Sequence, residues 1–318
     1  MVKSAILLVG GMGTRMQPLT FDTPKPMLQL LGKPITEHQI LKAKAAGITE
    51  IVLATSFLAD IFTPYFGDGE KFGIKISYAV EESALGTGGA IRNAASLLSG
   101  DGAVLIFNGD VLSEHSLTDQ MTRHEESSAE ITLHLTEVVD ARPFGVVEMR
   151  GDRIVTFNEK MENPPTKIIN AGCYIFNRSV IDEIPASAVV SVEREVFPSL
   201  LARGANLVGY LEKSYWLDIG NPGALLQATR QLVEASGHPS AHAKGSLIDP
   251  TAIVDQGSYI GAGAVVGAGA RLHQCVVGDG AVIAENVELT RTFIAAGAQI
   301  GANVVAIDEF IGYSSHYA

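Results

Sequence analysis

Residues 7–27 read LLVGGMGTRMQPLTFDTPKPM, and this segment decides how the first part of the chain folds. The apolar run Ala5–Val9 stops at Gly10 and Gly11, which predicts a buried β-strand followed by a glycine loop. Glycines directly after a strand let the backbone approach a ligand closely, and phosphate groups are common ligands of such loops. The sequence therefore predicts a phosphate-binding loop after the first strand.

The residues that follow exclude the two best-known glycine loops. A dinucleotide-binding loop needs G-x-G-x-x-G opening into a helix, and a P-loop needs G-x-x-x-x-G-K-[ST] before a similar helix. Here only the first two glycines fit, Gly11 and Gly13, and the prolines that follow oppose an immediate long helix. The residues leave two interpretations open. One is an extended loop whose cations, Arg15 and Lys25, wrap a triphosphate, and the other is a tight turn with surface basic residues.

Short apolar runs alternate with segments of helical spacing through residues 1–236, which predicts a mainly parallel sheet covered by helices. The predicted strands are Ala5–Val9, Glu50–Ala54, Ile74–Ala79, Ala103–Phe107, Ile131–Thr136, Val146–Met149, Arg153–Phe157 and Ile168–Phe176. The later strands lie closer together along the chain, which predicts antiparallel additions to the sheet. The predicted helices are Thr36–Ala46, Gly88–Leu98, Val192–Arg203, with Ser191 as its N-cap, and Asn221–Ala235.

The pattern changes after a polar linker, residues 237–245. Aliphatic residues then recur every six positions, with one-residue slips, at Ile248, Val254, Ile260, Val266, Leu272, Val277, Ile283, Leu289, Ile294 and Ile300. Period six with small companion residues is typical of a hexapeptide β-helix. The fold is therefore predicted as α/β, a Rossmann-like mixed, mainly parallel sheet over residues 1–236. A short left-handed parallel β-helix of about three turns follows over residues 246–318.

Composition limits the class of protein and its partners. The chain has 318 residues, of which 47% are hydrophobic and 18% charged, which suits a globular protein. A net charge of −12 opposes nucleic-acid binding, and no apolar run reaches the roughly 18–20 residues that span a bilayer. The N-terminal apolar run has no cleavage site for a signal peptide. We therefore expect a cytoplasmic protein with reduced core thiols at Cys173 and Cys275.

A set of motifs, spread over the whole first domain, resembles the sugar-1-phosphate nucleotidylyltransferase family. The motifs are GGMGTR (10–15) with PKP (24–26), ESALGTGG (82–89), NGD (108–110), FNEK (157–160), INAG (169–172) and WLDIG (216–220). Together with SVEREVFPSLL (191–201), they are most similar to mannose-1-phosphate guanylyltransferases, particularly the bacterial ones with a hexapeptide tail. The resemblance implies attack of a sugar 1-phosphate oxygen on the α-phosphorus of an NTP, with release of pyrophosphate. GTP, mannose 1-phosphate and Mg²⁺ are the implied substrates and cofactor.

The resemblance also implies a role for each matching residue. The implied catalytic residues are Arg15, Lys25 and Lys160. The implied nucleotide-binding residues are Leu8, Gly10, Gly11, Gly13, Thr14, Glu82, Gly86 and Thr87. The implied sugar-phosphate-binding residues are Asn108, Gly145, Glu159, Lys160, Asn170 and Gly172. Asp110 and Asp218 are the implied ligands of the metal.

Two residues depart from the family pattern, and one aromatic residue needs a separate interpretation. Met161 stands where the family motif F-x-E-K-P has proline, which predicts a less rigid loop after Lys160. Met16 stands where leucine is common, a change compatible with packing. Trp216 is interpreted as core packing and not as a platform for the base.

Other functions stay open at the level of sequence. One is the same reaction with dTTP, UTP or CTP and glucose 1-phosphate. Another is a catalytically silent regulatory homologue, as among subunits of translation initiation factor 2B, although the presence of Arg15, Lys25, Asp110 and Asp218 argues against silence. Acyl transfer by the tail would use His273, but so short a coil favours a surface histidine. We interpret the tail as an assembly or regulatory element of a homo-oligomer, since stacked coils leave an open end, which the final EFIGYSSHYA could cap.

Overall fold

The computed structural model describes residues 2–11, 13–21, 23–55, 59–237, 240–255 and 257–318. The chain forms two compact units. The first contains Met1–Gly10 and His38–Trp216, and the second contains Gly11–Glu37 and Leu217–Ala318. The glycine loop therefore belongs to the same unit as the tail. The predicted domain boundaries, 1–236, 237–245 and 246–318, stay predictions.

Helices in the described chain cluster in its first three quarters. They are α1 (Ile35–Ala45), α2 (Ala59–Phe66), α3 (Gly86–Ala95), α4 (Leu117–Glu126), α5 (Arg178–Glu183), α6 (Phe197–Ala202) and α7 (Pro222–Ala235). Within these described residues no helix is long and apolar enough to cross a membrane.

Strands run through the whole chain, and those after α7 are short. The first thirteen are β1 (Ser4–Leu8), β2 (Gln29–Leu30), β3 (Lys33–Pro34), β4 (Glu50–Thr55), β5 (Lys75–Val80), β6 (Val104–Asn108), β7 (Val111–Ser113), β8 (Ile131–Glu137), β9 (Gly145–Arg150), β10 (Arg153–Glu159), β11 (Ile168–Phe176), β12 (Leu207–Leu211) and β13 (Trp216–Asp218). Those after α7 are β14 (Ser240–His242), β15 (Leu247–Ile248), β16 (Ile253–Val254), β17 (Ser258–Ile260), β18 (Val265–Val266), β19 (Arg271–His273), β20 (Val276–Val277), β21 (Val282–Ile283), β22 (Glu288–Thr290), β23 (Phe293–Ile294), β24 (Gln299–Ile300), β25 (Val305–Ile307), β26 (Phe310–Ile311) and β27 (His316–Tyr317).

A mixed sheet forms the centre of the first unit, in the order β5-β4-β1-β6-β11-β8-β12-β10-β9. β1 pairs in parallel with β4 and β6, and β4 with β5. β11 runs antiparallel to β6, β8 and β9, and β10 antiparallel to β9 and β12. Ile6, Val52 and Ile106, on three adjacent parallel strands, are fully buried in one core. This confirms the predicted α/β fold, including the antiparallel additions.

The predicted helix Val192–Arg203 is wrong in its details. Ser191 is its N-cap, as predicted, and accepts a hydrogen bond from the Arg194 amide. Residues Val192–Val196 then form a π-helical turn, and only Phe197–Ala202 are α-helical. Pro198 has no N–H to donate to the carbonyl of Arg194 and its ring crowds that carbonyl, so the preceding turn widens.

The tail of the second unit is a parallel β-helix. Its three walls are the sheets β14-β17-β20-β23-β26, β15-β18-β21-β24-β27 and β16-β19-β22-β25. The predicted inward aliphatic residues from Ile260 to Ile300 form one buried core. One-residue slips mark coils of 17 residues: Tyr259 pairs with Val276, whereas Ser240 pairs with Ser258 at a spacing of 18.

The predicted number of coils, about three, is too small. Ser240–His242, inside the expected linker, already pairs with β17, and the segment after Ile300 continues the walls as β25 to β27 instead of capping them. The missed positions that pair with the inward Ile260, Leu289 and Ile300 carry His242, Ala306 and Tyr317, and His242 is exposed at the end of its wall. Terminal coils of solenoids often carry such atypical residues.

His273 and the two cysteines lie as the sequence predicts. His273 lies on the outside of the coil, half-exposed, with its Nδ1 on the carboxylate of Asp255 in the neighbouring coil. This exposed contact agrees with the predicted surface histidine. Cys173 and Cys275 are both free and buried, and burial raises the pKa of each thiol, to about 12 and about 11.

Candidate active site

Gly145 and Glu159 face each other across the β9–β10 hairpin, where they form a register pair. A Cβ on residue 145 would lie 2.6 Å from Phe157 Cζ and 3.0 Å from Glu159 Oε2, so only glycine fits there. Burial raises the pKa of the Glu159 carboxyl, and the nearby carboxylate of Glu193 acts in the same direction. The hairpin thus presents a partly buried acceptor beside bare backbone.

Asn108, Asn170 and Gly172 lie together around the buried hydroxyl of Tyr174. Asn170 Nδ2 donates to Tyr174 Oη at 2.8 Å, Asn170 Oδ1 accepts from the Gly172 amide at 3.1 Å, and Asn108 also hydrogen-bonds the Tyr174 hydroxyl. Gly172 has φ +75°, and a Cβ there would lie 3.0 Å from Asn108 Nδ2. The β8–β11 register shifts between Asn170 and Tyr174, and such irregularities re-aim side chains near functional sites.

Lys160 stands on a strained backbone beside this group. Its φ is +56°, unusual for a residue with a side chain, and its amide donates to the Phe144 carbonyl at 3.1 Å. Its side chain is 61% exposed, with Nζ 3.8 Å from Glu159 Oε1. The structure therefore brings the predicted sugar-side residues of β10 into one group with an accessible cation.

The residues that depart from the family pattern, and Trp216, all pack. Met161 lies against the buried cluster of Ala141, Val146 and Ile169. This packing holds the loop after Lys160, where the family motif has a proline. Met16 is fully buried. Trp216 contacts the same cluster and donates from Nε1 to the Ala171 carbonyl at 2.9 Å, in agreement with a packing role.

The loop at the start of α3 is held by backbone hydrogen bonds. Gly88 N donates to the Val190 carbonyl at 2.8 Å, and Val190 N donates to the Leu85 carbonyl at 2.9 Å. Gly86 has φ +69°, and a Cβ there would lie 2.6 Å from the Val190 oxygen, so a side chain is excluded. Glu81 Oε2 accepts from the Leu85 amide at 3.1 Å and closes the loop on its other side.

Glu193 joins this loop to the sugar-side group, and sequence reasoning gave it no role. Its Oε2 accepts from Thr87 Oγ1 at 2.8 Å and from Ser191 Oγ at 3.0 Å. Its negative charge also raises the pKa of both Glu159 and Tyr174, in addition to their burial. An acidic residue after a Ser N-cap is typical of any helix start, so the sequence held no specific signal. The π-helical turn that carries it is a feature often found at functional sites.

The loop predicted to bind phosphate folds back on itself in the second unit, and we call it the phosphate-binding loop. Gly13 has φ +56° and precedes a 3₁₀ turn over Thr14–Met16. A Cβ there would lie 3.1 Å from Lys25 Cβ and 3.3 Å from Thr20 Cγ2, while Thr20 Oγ1 donates to the Gly13 carbonyl at 2.8 Å. The loop therefore brings the glycine and Lys25 together, with Lys25 buried and Arg15 exposed.

The remaining predicted nucleotide-binding residues lie at the strand end and on exposed loops. Leu8 ends β1 and pairs with Asn108, and the Gly109 amide donates to its carbonyl at 3.0 Å. A Cβ on Gly109 would lie 2.4 Å from that carbonyl oxygen, so this glycine lets the two strand ends approach. The exposed members are Gly10, Gly11, Thr14 and Glu82.

The two predicted metal ligands are half-buried aspartates that end strands. Asp110 lies between β6 and β7 in the first unit, and Asp218 ends β13 in the second. Beside Asp218, a Cβ on Gly220 would lie 3.2 Å from Oδ2, so the glycine leaves room at that carboxylate. In the described ranges no three His, Cys, Asp or Glu side chains group as a complete metal site. Mg²⁺ needs only one or two carboxylates when water and phosphate oxygens complete its shell, so a half-buried aspartate of this kind is a suitable ligand.

Comparisons with known proteins show which family the chain resembles. The model of a family described as nucleotidyl transferase matches residues 4–235. Mannose-1-phosphate guanylyltransferase of Mycobacterium tuberculosis is 46% identical over 259 residues, 80% of this chain and 72% of that protein. The probable mannose-1-phosphate guanylyltransferase 1 of rice, Oryza sativa subsp. japonica, is 35% identical over 267 residues, 80% and 73% of the two chains. The crystal structure of HddC from Yersinia pseudotuberculosis complexed with GMP-PN superimposes with a TM-score of 0.62 at 26% identity, covering 73% of this chain and 100% of that one.

Proposed function

This chain belongs to the nucleotidyl transferase family, and on that premise we propose that it transfers a guanylyl group from GTP to mannose 1-phosphate. The products are GDP-mannose and pyrophosphate. The observation that carries the choice of substrates is the 46% identity to a mannose-1-phosphate guanylyltransferase over 80% of the chain. The grouping of glycines, amides and a partly buried carboxylate on the sugar side supports it.

The reaction needs positioning more than proton transfer. An oxygen of the sugar 1-phosphate is already anionic and forms the new bond to the α-phosphorus of GTP. The bond from the α-phosphorus to the oxygen bridging to the β-phosphorus breaks, and pyrophosphate leaves with both electrons. No general base is required, so the barrier lies in bringing two polyanions together and stabilising the leaving group. Arg15 and Lys25 bind the triphosphate and the departing pyrophosphate.

The sugar-side residues bind and orient mannose 1-phosphate. The exposed Nζ of Lys160 binds the 1-phosphate, while Glu159 and Asn170 bind sugar hydroxyls. Gly145 and Gly172 let the backbone lie close to the side chains of Glu159 and Asn108, which hold these polar groups on the sugar side. Asn108 Oδ1 is buried and has no hydrogen-bond partner among the described groups. Buried acceptors are normally satisfied, so we expect a substrate hydroxyl or an ordered water at this atom.

Asp110 and Asp218 are the proposed ligands of Mg²⁺. When bound, the ion neutralises phosphate charge and aligns the phosphates for in-line displacement. Nucleotide binding falls to the loop of Gly10, Gly11, Gly13 and Thr14, and to Leu8, Glu82, Gly86 and Thr87. The half-buried carboxylates and the backbone amides of the glycine loops support this division.

The proposal extends to the organisation of the protein. Residues 1–236 form the catalytic domain, and residues 246–318, together with strand β14 of the expected linker 237–245, form a tail that assembles a homo-oligomer in the cytoplasm. The open ends of the three β-helix walls support an assembly role, since unpaired strand edges invite pairing.

Pyrophosphate release from the purified chain tests this function. Each NTP is combined in turn with mannose 1-phosphate and with glucose 1-phosphate in the presence of Mg²⁺. We expect release with GTP and mannose 1-phosphate at a kcat/KM at least tenfold above every other pair. Preferred release with dTTP, UTP or CTP and glucose 1-phosphate would keep the reaction and overturn the substrates. No release with any pair would identify a silent homologue.

A further inference from the structure

One wall of the β-helix is covered by other parts of the second unit. On this wall, β14-β17-β20-β23-β26, the outward side chains Tyr259, Val276 and Phe293 are 6%, 3% and 3% exposed. Outward residues of the other two walls, such as Val282 and Val305, are 38% and 67% exposed. Helix α7 packs against β14 and β17, and also against β2 in the segment of residues 11–37. The covered wall is therefore a docking face inside the unit.

The segment that holds the phosphate-binding loop contacts the tail directly. The turn between β2 and β3 lies on Tyr259: a Cβ on Gly32, which has φ +73°, would lie 2.6 Å from the Tyr259 hydroxyl oxygen. The phosphate-binding loop itself meets the last coil at Gly312, where a Cβ would lie 3.5 Å from the Pro18 carbonyl oxygen. The tail therefore contacts both the loop and the hairpin after it.

A tyrosine next to this contact binds the loop by a side-chain hydrogen bond. Tyr313, half-buried in the last coil, hydrogen-bonds Thr23. Burial raises the pKa of Tyr313, the hydrogen bond with Thr23 lowers it, and the charge of Asp279 raises it. Pro18 and Thr23 lie on either side of Thr20, whose hydroxyl binds the Gly13 carbonyl. The last coil thus contacts the loop on both sides of its internal hydrogen bond.

We propose that Tyr313 is a positioning residue for the transfer reaction, and that through Thr23 it holds the phosphate-binding loop in the conformation that presents Arg15 and Lys25 to the triphosphate. Gly13 packs on Lys25 Cβ. A displacement of the loop at Thr23 therefore moves both the turn at Gly13 and Lys25, which belong to the proposed triphosphate site. On this basis the β-helix is part of the catalytic unit and not only an assembly element. This inference rests on the proposed function, because the role of the loop does.

Removal of one hydroxyl tests the proposal. Tyr313→Phe keeps the ring and loses the bond to Thr23. Because a single hydrogen bond contributes about 1 kcal/mol, we expect kcat/KM for GTP to fall by roughly fivefold while KM for mannose 1-phosphate stays unchanged. Tyr317→Phe is the matched control: it removes a tail hydroxyl from β27, on a different wall, and should leave both constants at the wild-type values. A Tyr313→Phe variant with wild-type kcat/KM for GTP, or with equal losses of kcat/KM for GTP and for mannose 1-phosphate, would overturn the proposal.

A double-mutant cycle and hydrogen exchange make the test independent of a simple loss of stability. Thr23→Val removes the partner, so the double variant should lose no more than either single variant. In the full chain, amide exchange of a peptide over residues 13–28 should be faster in Tyr313→Phe than in Tyr317→Phe. Additive losses or unchanged exchange would contradict the positioning role. Hydrogen exchange is measured without substrate, so it tests the contact between Tyr313 and the loop even in an inactive protein. An inactive wild-type protein would refute the proposed function and not this contact.

Discussion

The hydroxyl of Thr87, in the loop at the start of α3, donates a 2.8 Å hydrogen bond to the carboxylate of Glu193, 106 positions further along the chain. The same hydroxyl accepts from the Val192 amide at 2.9 Å. Glu193 in turn raises the pKa of Glu159 on the sugar side. One carboxylate therefore connects the loop proposed to bind the base with the residues proposed to bind the sugar.

Thr87→Val should weaken nucleotide use. The change removes the donor to Glu193 and the acceptor for Val192 while keeping the side-chain shape. With one hydrogen bond worth about 1 kcal/mol, kcat/KM for GTP should fall by roughly five- to tenfold in initial-rate assays. Thr122→Val, an exposed position on α4, is the control and should match the wild type. Equal kinetics in the two variants would contradict the role of the Thr87–Glu193 contact.

Gly172→Ala should impair binding of the sugar phosphate. The Cβ would lie 3.0 Å from Asn108 Nδ2 and 3.1 Å from Val111 Cγ2, on a backbone with φ +75°. We expect a loss of unfolding free energy of about 1–3 kcal/mol and a higher KM for mannose 1-phosphate. Gly151→Ala is the matched control, because it has φ +61° but open space around the Cβ. The Gly151→Ala variant should lose stability and keep the wild-type KM. If KM for mannose 1-phosphate rose in this control as well, backbone strain and not the contact with Asn108 would explain the effect of Gly172→Ala.

A buried histidine pair should make the protein sensitive to acid. His115 and His134 stack with ring centroids 3.7 Å apart, and burial lowers their pKa values to about 3 and about 2, with Lys42 acting in the same direction. Below pH 6.5 the unfolded chain binds protons that the folded chain does not. Stability should therefore fall as the pH drops from about 6.5 towards 3, by roughly 1.4 kcal/mol per pH unit for each histidine.

His134→Phe tests this pH dependence. Both ring nitrogens of His134 are buried without a partner among the described groups, so phenylalanine sacrifices no hydrogen bond and keeps the stack. The free energy of unfolding, measured with denaturant between pH 6 and 4.5, should fall less steeply than in the wild type. His242→Phe replaces an exposed histidine and should leave the slope unchanged. Parallel slopes for wild type and His134→Phe would show that this histidine is not protonated on unfolding.

Asp110→Asn should abolish turnover and leave the fold intact. The amide keeps the shape of the side chain but lacks the charge that Mg²⁺ requires. Pyrophosphate release should drop at least a hundredfold, and the far-ultraviolet circular dichroism should not change. Asp101→Asn, at an exposed turn, provides the control with wild-type activity. Wild-type rates in Asp110→Asn would remove the proposed metal role of this residue.

The sequence predicts those features that repeat or that only one residue type satisfies. Strand β11 is predicted to its observed bounds, Ile168–Phe176, since most of its residues are apolar, as expected for a strand buried on both faces. Gly86 and Gly172 were singled out from motifs, and the structure gives both the positive φ that glycine supports. The inward positions of the β-helix follow from a period that neither a helix nor a flat strand produces.

The rest depends on contacts between distant positions. Glu193 acquires its significance from Thr87, and no local pattern reports that pairing. The coils at both ends of the tail were missed because His242 and Ala306 stand at register positions where the other coils have large aliphatic residues. The contact of Tyr313 with the phosphate-binding loop joins segments nearly 300 positions apart, and only the folded second unit brings them together.

Isotope transfer tests the central claim most directly. The full chain is incubated with GTP, Mg²⁺ and mannose 1-phosphate that carries ¹⁸O at its non-bridging phosphate oxygens. The products are then separated, and their masses are measured by mass spectrometry. Direct attack on the α-phosphorus predicts GDP-mannose that retains every ¹⁸O atom, together with unlabelled pyrophosphate. Absence of GDP-mannose, loss of one ¹⁸O from it, or label in the pyrophosphate would contradict the proposed guanylyl transfer.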